Sequence, residues 1–282
     1  MRIHATTLPR LDTPVRLAWL DLPGSRADAP PRVFLHGLGS SSIATFPEHA
    51  VQRPQDAPRA ILIDIPGFGY SRNAPADWSF TIEDQAEAVA RMLADLGVGP
   101  VTLIGHSMGG STAIALATLH PALVSALIVA EPNLDPGVGT LSSHIAAQSE
   151  TAFVARGYDH LVHATANQAA RGDSGSARYL PTLQQALPVA MHRASVSLLA
   201  DRAPTFREHL VALAPRIPAT FIYGDQTPDL TGLDTLAAAG VRLAPIPDAG
   251  HVMMDDNPDA FTTALLAAEA WAGERYQDRR SS

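Results

Sequence analysis

Short, fully apolar runs closed by glycine or proline alternate along this chain with longer stretches of helical periodicity. RVFLHGLG from Arg32, AILIDIPGFG from Ala60, VTLIGHS from Val101 and ALIVAEP from Ala126 predict buried strands. VRLAWLDLPG from Val15 alternates instead, predicting a strand that ends in a turn. TIEDQAEAVARMLADLG, with Thr81 placed to cap it, and MGGSTAIALATLHP predict helices between the strands. ATFIYGD and VRLAPIP predict two later strands, and NPDAFTTALLAAEAWA a closing helix with Asn257 as cap and Pro258 at its start. This alternation predicts an α/β fold with a mostly parallel central sheet flanked by helices.

Residues 132–217 break the rhythm. HIAAQSETAFVARG and TLQQALPVAMHRASVSLLADR are helical patterns, PNLDPGVG and ARGDSGSARYLP read as loops, and no buried strand stands out. The expected organisation is a core of residues 1–131 and 218–282 with a helical cap, 132–217, inserted between two strands. ERYQDRRSS at the end reads as a frayed, solvated tail.

Composition narrows the chemistry. The chain has 282 residues and a net charge of −8, which argues against nucleic-acid or anionic-membrane partners. All 20 basic residues are arginine, so no lysine is available for Schiff-base or phosphate-loop chemistry. There is no cysteine, which excludes thiol nucleophiles, Cys-ligated zinc and disulfides. MRIHATTLPRLD lacks the apolar run of a signal peptide and no stretch approaches membrane-spanning length, so a cytoplasmic protein is expected. The glycine runs HGLG and GFG lack phosphate- or dinucleotide-binding spacing, and no cofactor is implied. His160 and His163, three apart, are read as polar-face residues rather than metal ligands. His144 and His192 carry no distinguishing pattern.

Gly105-His106-Ser107-Met108-Gly109 fits G-x-S-x-G between a predicted strand and a predicted helix. In that setting a serine sits on a sharp turn above the sheet edge, and the glycines keep flanking side chains from colliding with strand and helix. A helix N-terminus behind it favours developing negative charge. Backbone N–H groups of Met108 and of Leu38, in HGLG, are the candidate oxyanion donors. His36 is expected to hold its loop. His251, in PDAGHVMMDDNP after the last predicted strand, is the candidate base.

The ordered set HGLG, DIPGFGYS, GHSMGG and AGHVMM resembles the α/β-hydrolase superfamily over nearly the whole chain. The resemblance implies Ser107 as nucleophile, His251 as base, and Leu38 and Met108 as oxyanion donors, with Asp64 organising its loop. A nucleophilic aspartate marks the dehalogenases and epoxide hydrolases of that superfamily, so Ser107 points away from both. The family's usual acid is the second aspartate of a G-D-x-D turn, but here the turn reads Gly224-Asp225-Gln226-Thr227. Glu131 is the preferred substitute: it ends a buried run at the sheet edge where active-site groups collect, and a buried carboxylate needs a partner. Some superfamily members place the acid after this strand. Asp225 and Asp229 are the alternatives.

The expected activity is hydrolysis of a small, apolar carboxylic ester or lactone through an acyl-serine. Two alternatives stay open: a non-hydrolytic enzyme of the same fold (lyase, cofactor-free oxygenase or cyclase), and a ligand receptor with weak hydrolysis. The sequence assigns no oligomeric state.

Overall fold

Eight strands form one sheet in the computed structural model, which describes residues 2–6, 14–51, 57–75, 77–228 and 230–281. They are β1 (Arg2–Thr6), β2 (Val15–Leu22), β3 (Arg32–Leu35), β4 (Ala60–Asp64), β5 (Val101–His106), β6 (Val124–Ala130), β7 (Ala219–Gly224) and β8 (Arg242–Ile246). Their order across the sheet is β1-β2-β4-β3-β5-β6-β7-β8. β2 pairs antiparallel with β1 and β4, and every other pair is parallel. The pattern does not predict β1, whose RIHAT is short and half polar; its backbone nevertheless pairs with β2 from Arg2–Trp19 to Thr6–Val15.

The central strands read as continuous apolar runs because both faces are covered. Val33 and Leu35 of β3 point into one core with Ile61, Ile63, Leu103 and Val129, whereas Phe34 joins Leu62, Ile104, Ile128 and Ile222 in the other. The first core is closed by α3 (Ile82–Asp95) and α4 (Met108–Leu119). The second is closed by the short α1 (Ser42–Thr45) and α2 (Pro47–Val51) and by a C-terminal helix. Thr81 caps α3 by accepting from the Asp84 N–H at 3.2 Å.

Between β6 and β7 the chain is helical throughout: α5 (Thr140–Ala146), one-turn α6 (Glu150–Ala152) continuing as a π-turn, α7 (Tyr158–Ala170), α8 (Ser174–Leu183), α9 (Pro188–Leu199) and α10 (Phe206–Leu213). The stretch ARGDSGSARYLP, expected to be a loop, instead supplies most of α8. Asp173 caps it, accepting from the Ser176 N–H at 2.6 Å, and Pro181 is accommodated inside it. α11 (Leu233–Ala238) joins β7 to β8, and α12 (Met253–Asp256) precedes α13 (Pro258–Ser281). Asn257 Oδ1 caps α13 through the Ala260 N–H at 3.2 Å. α13 continues through the expected tail because residues 274–281 contain no glycine or proline to stop it. Among the described residues, no helix is long and apolar enough to cross a membrane.

Candidate active site

Parallel strands that all end on one edge bring their following turns together there. Ser107 is the first residue after β5 and the N-cap of α4, at φ 51° and ψ −120°. A non-glycine residue reaches this region only under strain, which the surroundings must hold in place. Two close approaches do so. A Cβ on Gly105 would overlap the Gly109 carbonyl oxygen, and one on Gly109 would overlap the carbonyl oxygen of Leu35 in β3. The Ser107 N–H donates to the Ala130 carbonyl at 2.9 Å, tying the turn to the end of β6.

Glu131 follows directly, also at positive φ (41°), with its N–H on the Ile222 carbonyl of β7 at 3.1 Å. Its side chain is 5% exposed. Oε1 accepts from the Gly224 N–H at 2.9 Å and from the Thr227 hydroxyl at 2.7 Å. Oε2 meets His251 Nδ1 at 2.7 Å. Burial pushes the carboxyl up, but the hydrogen bonds from His251, Thr227 and Gly224 outweigh it and hold Glu131 below its ordinary value. An ionised carboxylate only accepts, so Nδ1 carries the imidazole proton and Nε2 is left as an acceptor. The Ser107 hydroxyl stands 3.1 Å from that Nε2. A hydroxyl, an imidazole and a carboxylate are thereby joined in one hydrogen-bonded chain, through which a hydroxyl proton can move to nitrogen while the carboxylate balances the charge.

The histidine loop is fixed from several sides. The Gly250 N–H donates to Asp256 Oδ2 at 2.9 Å, and the Gln226 N–H donates to the Ala249 carbonyl at 2.9 Å. His106 Nε2 donates to the His251 carbonyl at 2.8 Å, and the two rings lie 4.9 Å apart. Burial, then the nearby His251, push His106 down to about 3, so it stays a neutral donor.

The two candidate N–H donors occupy turn and helix-start positions. Met108 is the first residue of α4, where an N–H has no acceptor within its own helix. Leu38 is the second residue of a turn closed by the Ser40 N–H on the Gly37 carbonyl at 3.1 Å. Gly37 lies so near that a Cβ on it would stand 3.4 Å from the Ser107 Cβ. His36 holds this loop: the Ile65 N–H donates to its Nε2 at 3.0 Å, and its Nδ1 donates to the Gly37 carbonyl at 2.8 Å. Asp64 organises the neighbouring turns, accepting from the Ser41 hydroxyl at 2.8 Å and from the N–H groups of Ile43 at 3.2 Å and Tyr70 at 2.9 Å.

A cavity of about 1280 Å³ opens over Ser107, His251 and Glu131. Leu134, Leu141, Leu161, Leu198, Phe221, Leu230 and Met254 line it, with Arg178, Tyr179 and Arg207 among its polar groups. The Arg207 guanidinium is engaged by Asp135, at 2.6 Å. Among the described residues, no three His, Asp or Glu side chains gather as a possible metal site, and His160 and His163 form none.

The sequence-expected residues thus separate cleanly. Ser107, His251 and Glu131 come together. Asp225 is exposed, its backbone N–H bound to the Ile246 carbonyl at 3.0 Å, and Asp229 lies outside the described residues. Three contributors escaped sequence reasoning: Thr227, His106 and Tyr179. Thr227 left a trace as the odd residue of the Gly224-Asp225-Gln226-Thr227 turn. His106 fills the free position of its motif, and Tyr179 lay in a stretch read as loop, so neither left one.

Residues 33–264 match the model of a family described as the alpha/beta hydrolase family. An sn-1-specific diacylglycerol lipase of Danio rerio is 32% identical over 145 residues, 50% of this chain. The match spans only 44% of that relative's own length. An esterase from Thermogutta terrifontis superposes with a TM-score of 0.77 at 20% identity, covering 97% of this chain and 100% of that one. The enol-lactonase from Burkholderia xenovorans LB400 does so with a TM-score of 0.72 at 21% identity, over 90% of this chain and 96% of that one. These two likenesses are of fold. With the family match running from β3 into α13 and the same sheet beneath it, the chain belongs to the alpha/beta hydrolase family.

Proposed function

We propose that this protein hydrolyses a carboxylic ester or lactone through an acyl-serine intermediate. The observation that carries the reading is the continuous chain Ser107 Oγ–His251 Nε2 (3.1 Å) and His251 Nδ1–Glu131 Oε2 (2.7 Å) at the floor of the cavity. As Ser107 Oγ attacks the carbonyl carbon, its proton passes to His251 Nε2. The tetrahedral oxyanion takes hydrogen bonds from the N–H groups of Leu38 and Met108, and Glu131 holds and balances the imidazolium. His251 then gives the proton to the departing alkoxide. A water, deprotonated by the same nitrogen, attacks the acyl carbon and releases the acid and Ser107.

Residues 132–217 serve in this reading as a cap over a core of 1–131 and 218–282. The cap closes a largely apolar chamber large enough for a substrate with an extended hydrocarbon part. The names of one relative, a diacylglycerol lipase, and of two structural neighbours, an esterase and an enol-lactonase, agree with ester or lactone chemistry. The receptor alternative rested on Thr227 standing where a carboxylate is expected. Glu131 beside His251 supports the hydrolytic reading over that alternative.

Stopped-flow mixing with p-nitrophenyl butyrate tests the reading. A burst of p-nitrophenol close to one per chain is expected, absent in Ser107→Ala, with products heavier than substrate by one water. No burst and no turnover would exclude acyl transfer, and a product of unchanged mass would favour a lyase or cyclase.

A further inference from the structure

Helix α8 reaches the site at two successive residues. Arg178 Nη1 pairs with Asp255 Oδ1 at 2.8 Å, four residues beyond His251. That pair is exposed, where such contacts contribute little. The other residue, Tyr179, donates its hydroxyl to the Leu38 carbonyl at 2.9 Å. Its ring lines the cavity, and burial raises the phenol above its ordinary value, so it stays a protonated donor across the working pH range.

The acceptor belongs to the turn Gly37–Ser40. Gly39, its third residue, has φ 71°, which marks a type II turn. Types I and II differ chiefly by rotation of the peptide between their second and third residues, here Leu38–Gly39. Tyr179 bonds the carbonyl of that same peptide and so selects one of the two orientations. Gly39 shows independently that the turn is shaped around the hydroxyl: a Cβ there would overlap Tyr179 Oη and would come within 3.2 Å of the Met191 sulfur.

We propose that Tyr179 is a positioning residue for acyl transfer: its hydroxyl anchors the Leu38 carbonyl and so holds in place the Gly37–Ser40 turn, whose preceding Gly37–Leu38 peptide carries the N–H offered to the oxyanion. The inference rests on the acyl-transfer reading above. Its consequence is that the helical segment completes the reacting site as well as covering it. Tyr179 takes part in no covalent step.

Tyr179→Phe removes one oxygen and keeps the ring. The probe is a p-nitrophenyl alkylphosphonate: a bond forms from Ser107 Oγ to phosphorus, p-nitrophenolate leaves, and the phosphoryl oxygen enters the oxyanion position. Phosphonylation of Tyr179→Phe is expected to slow about tenfold, less than loss of a whole oxyanion donor. kcat on p-nitrophenyl butyrate should fall by a similar factor with KM within about twofold, because the interaction is made in the transition state. Tyr158→Phe is the comparison. Its hydroxyl bonds the Leu183 and Ala186 carbonyls, at 2.6 and 3.0 Å, inside the same helical segment and away from the turn. It should lower the melting temperature and leave phosphonylation unchanged.

The proposal is overturned if Tyr179→Phe is labelled at the wild-type rate, if KM rises while kcat holds, or if Tyr158→Phe slows labelling equally. Wild-type protein that takes no label at Ser107 overturns the acyl-transfer reading, and the role of Tyr179 with it.

Discussion

The Thr227 hydroxyl donates a hydrogen bond to Glu131 Oε1 at 2.7 Å, from the position where the family usually carries its acid. A carboxylate, Glu131, stands just after β6, and Thr227 is one of its hydrogen-bond donors. Together with the Gly224 N–H, Thr227 holds Oε1 and leaves Oε2 to face His251.

Glu131→Gln keeps the shape of the side chain and removes its charge. Turnover is expected to fall about 10³-fold or more, by analogy with loss of the acid in other serine triads, with the melting transition retained. Asp225→Asn, on the exposed turn, is expected to change kcat by less than about twofold. Steady-state kinetics on one p-nitrophenyl ester compares the two. A silent Glu131→Gln would return the acid to another carboxylate.

Thr227→Val deletes one of the donors that keep Glu131 below its ordinary value against the upward push of burial. A hydrogen bond to a charged group contributes about 1.5–3 kcal/mol, so the variant should be less stable at neutral pH by that order. The sign with pH follows. A carboxyl with a depressed folded value adds stability above its unfolded value of about 4.3, and loses it as pH falls through the folded value. The gap between variant and wild type should therefore narrow toward pH 3 in urea titrations. A gap that widens there would contradict the placement of Glu131.

His106 tests pH dependence from the other direction. Its folded value of about 3 means that it stays neutral where the unfolded chain, near 6.5, already binds a proton. Stability therefore falls as pH drops below about 6.5, and His106→Phe should flatten that slope. The same variant frees the His251 carbonyl and should lower kcat about tenfold. The midpoint of the acid limb should stay in place, because His106 does not titrate there. A shifted midpoint would make His106 part of the proton pathway.

Gly109→Ala puts a methyl group against the Leu35 carbonyl oxygen, a backbone atom that cannot rotate away. Overpacking of this kind costs about 1–3 kcal/mol or more, visible as a lowered melting temperature. An unperturbed transition would mean that the turn has room the structure does not give it.

Much of this was legible in the sequence for physical reasons. Strands buried on both faces announce themselves as apolar runs, and a serine at positive φ between strand and helix requires glycines that have no other purpose. Glu131 was legible because a carboxylate closing a buried run needs a partner. Helix α8 was not, since its glycine, serines and internal proline are poor helix formers that read as turn signals, and it is started by the Asp173 cap. Thr227 was visible as a departure, but its partner is set by strand order, which puts β6 beside β7 and so brings Glu131, just after β6, against Thr227 in the turn that follows β7. No local pattern encodes the contact of Tyr179 with Leu38, 141 residues away.

In the proposed mechanism Ser107 Oγ is the atom acylated, in a site completed by His251 and Glu131. Intact-protein and peptide mass measurement after treatment with a p-nitrophenyl alkylphosphonate tests it most directly. One phosphonyl group per chain, carried by the peptide containing Ser107, absent in Ser107→Ala and formed far more slowly in His251→Ala, is the predicted result. A label on another residue, or undiminished labelling in Ser107→Ala, would contradict it.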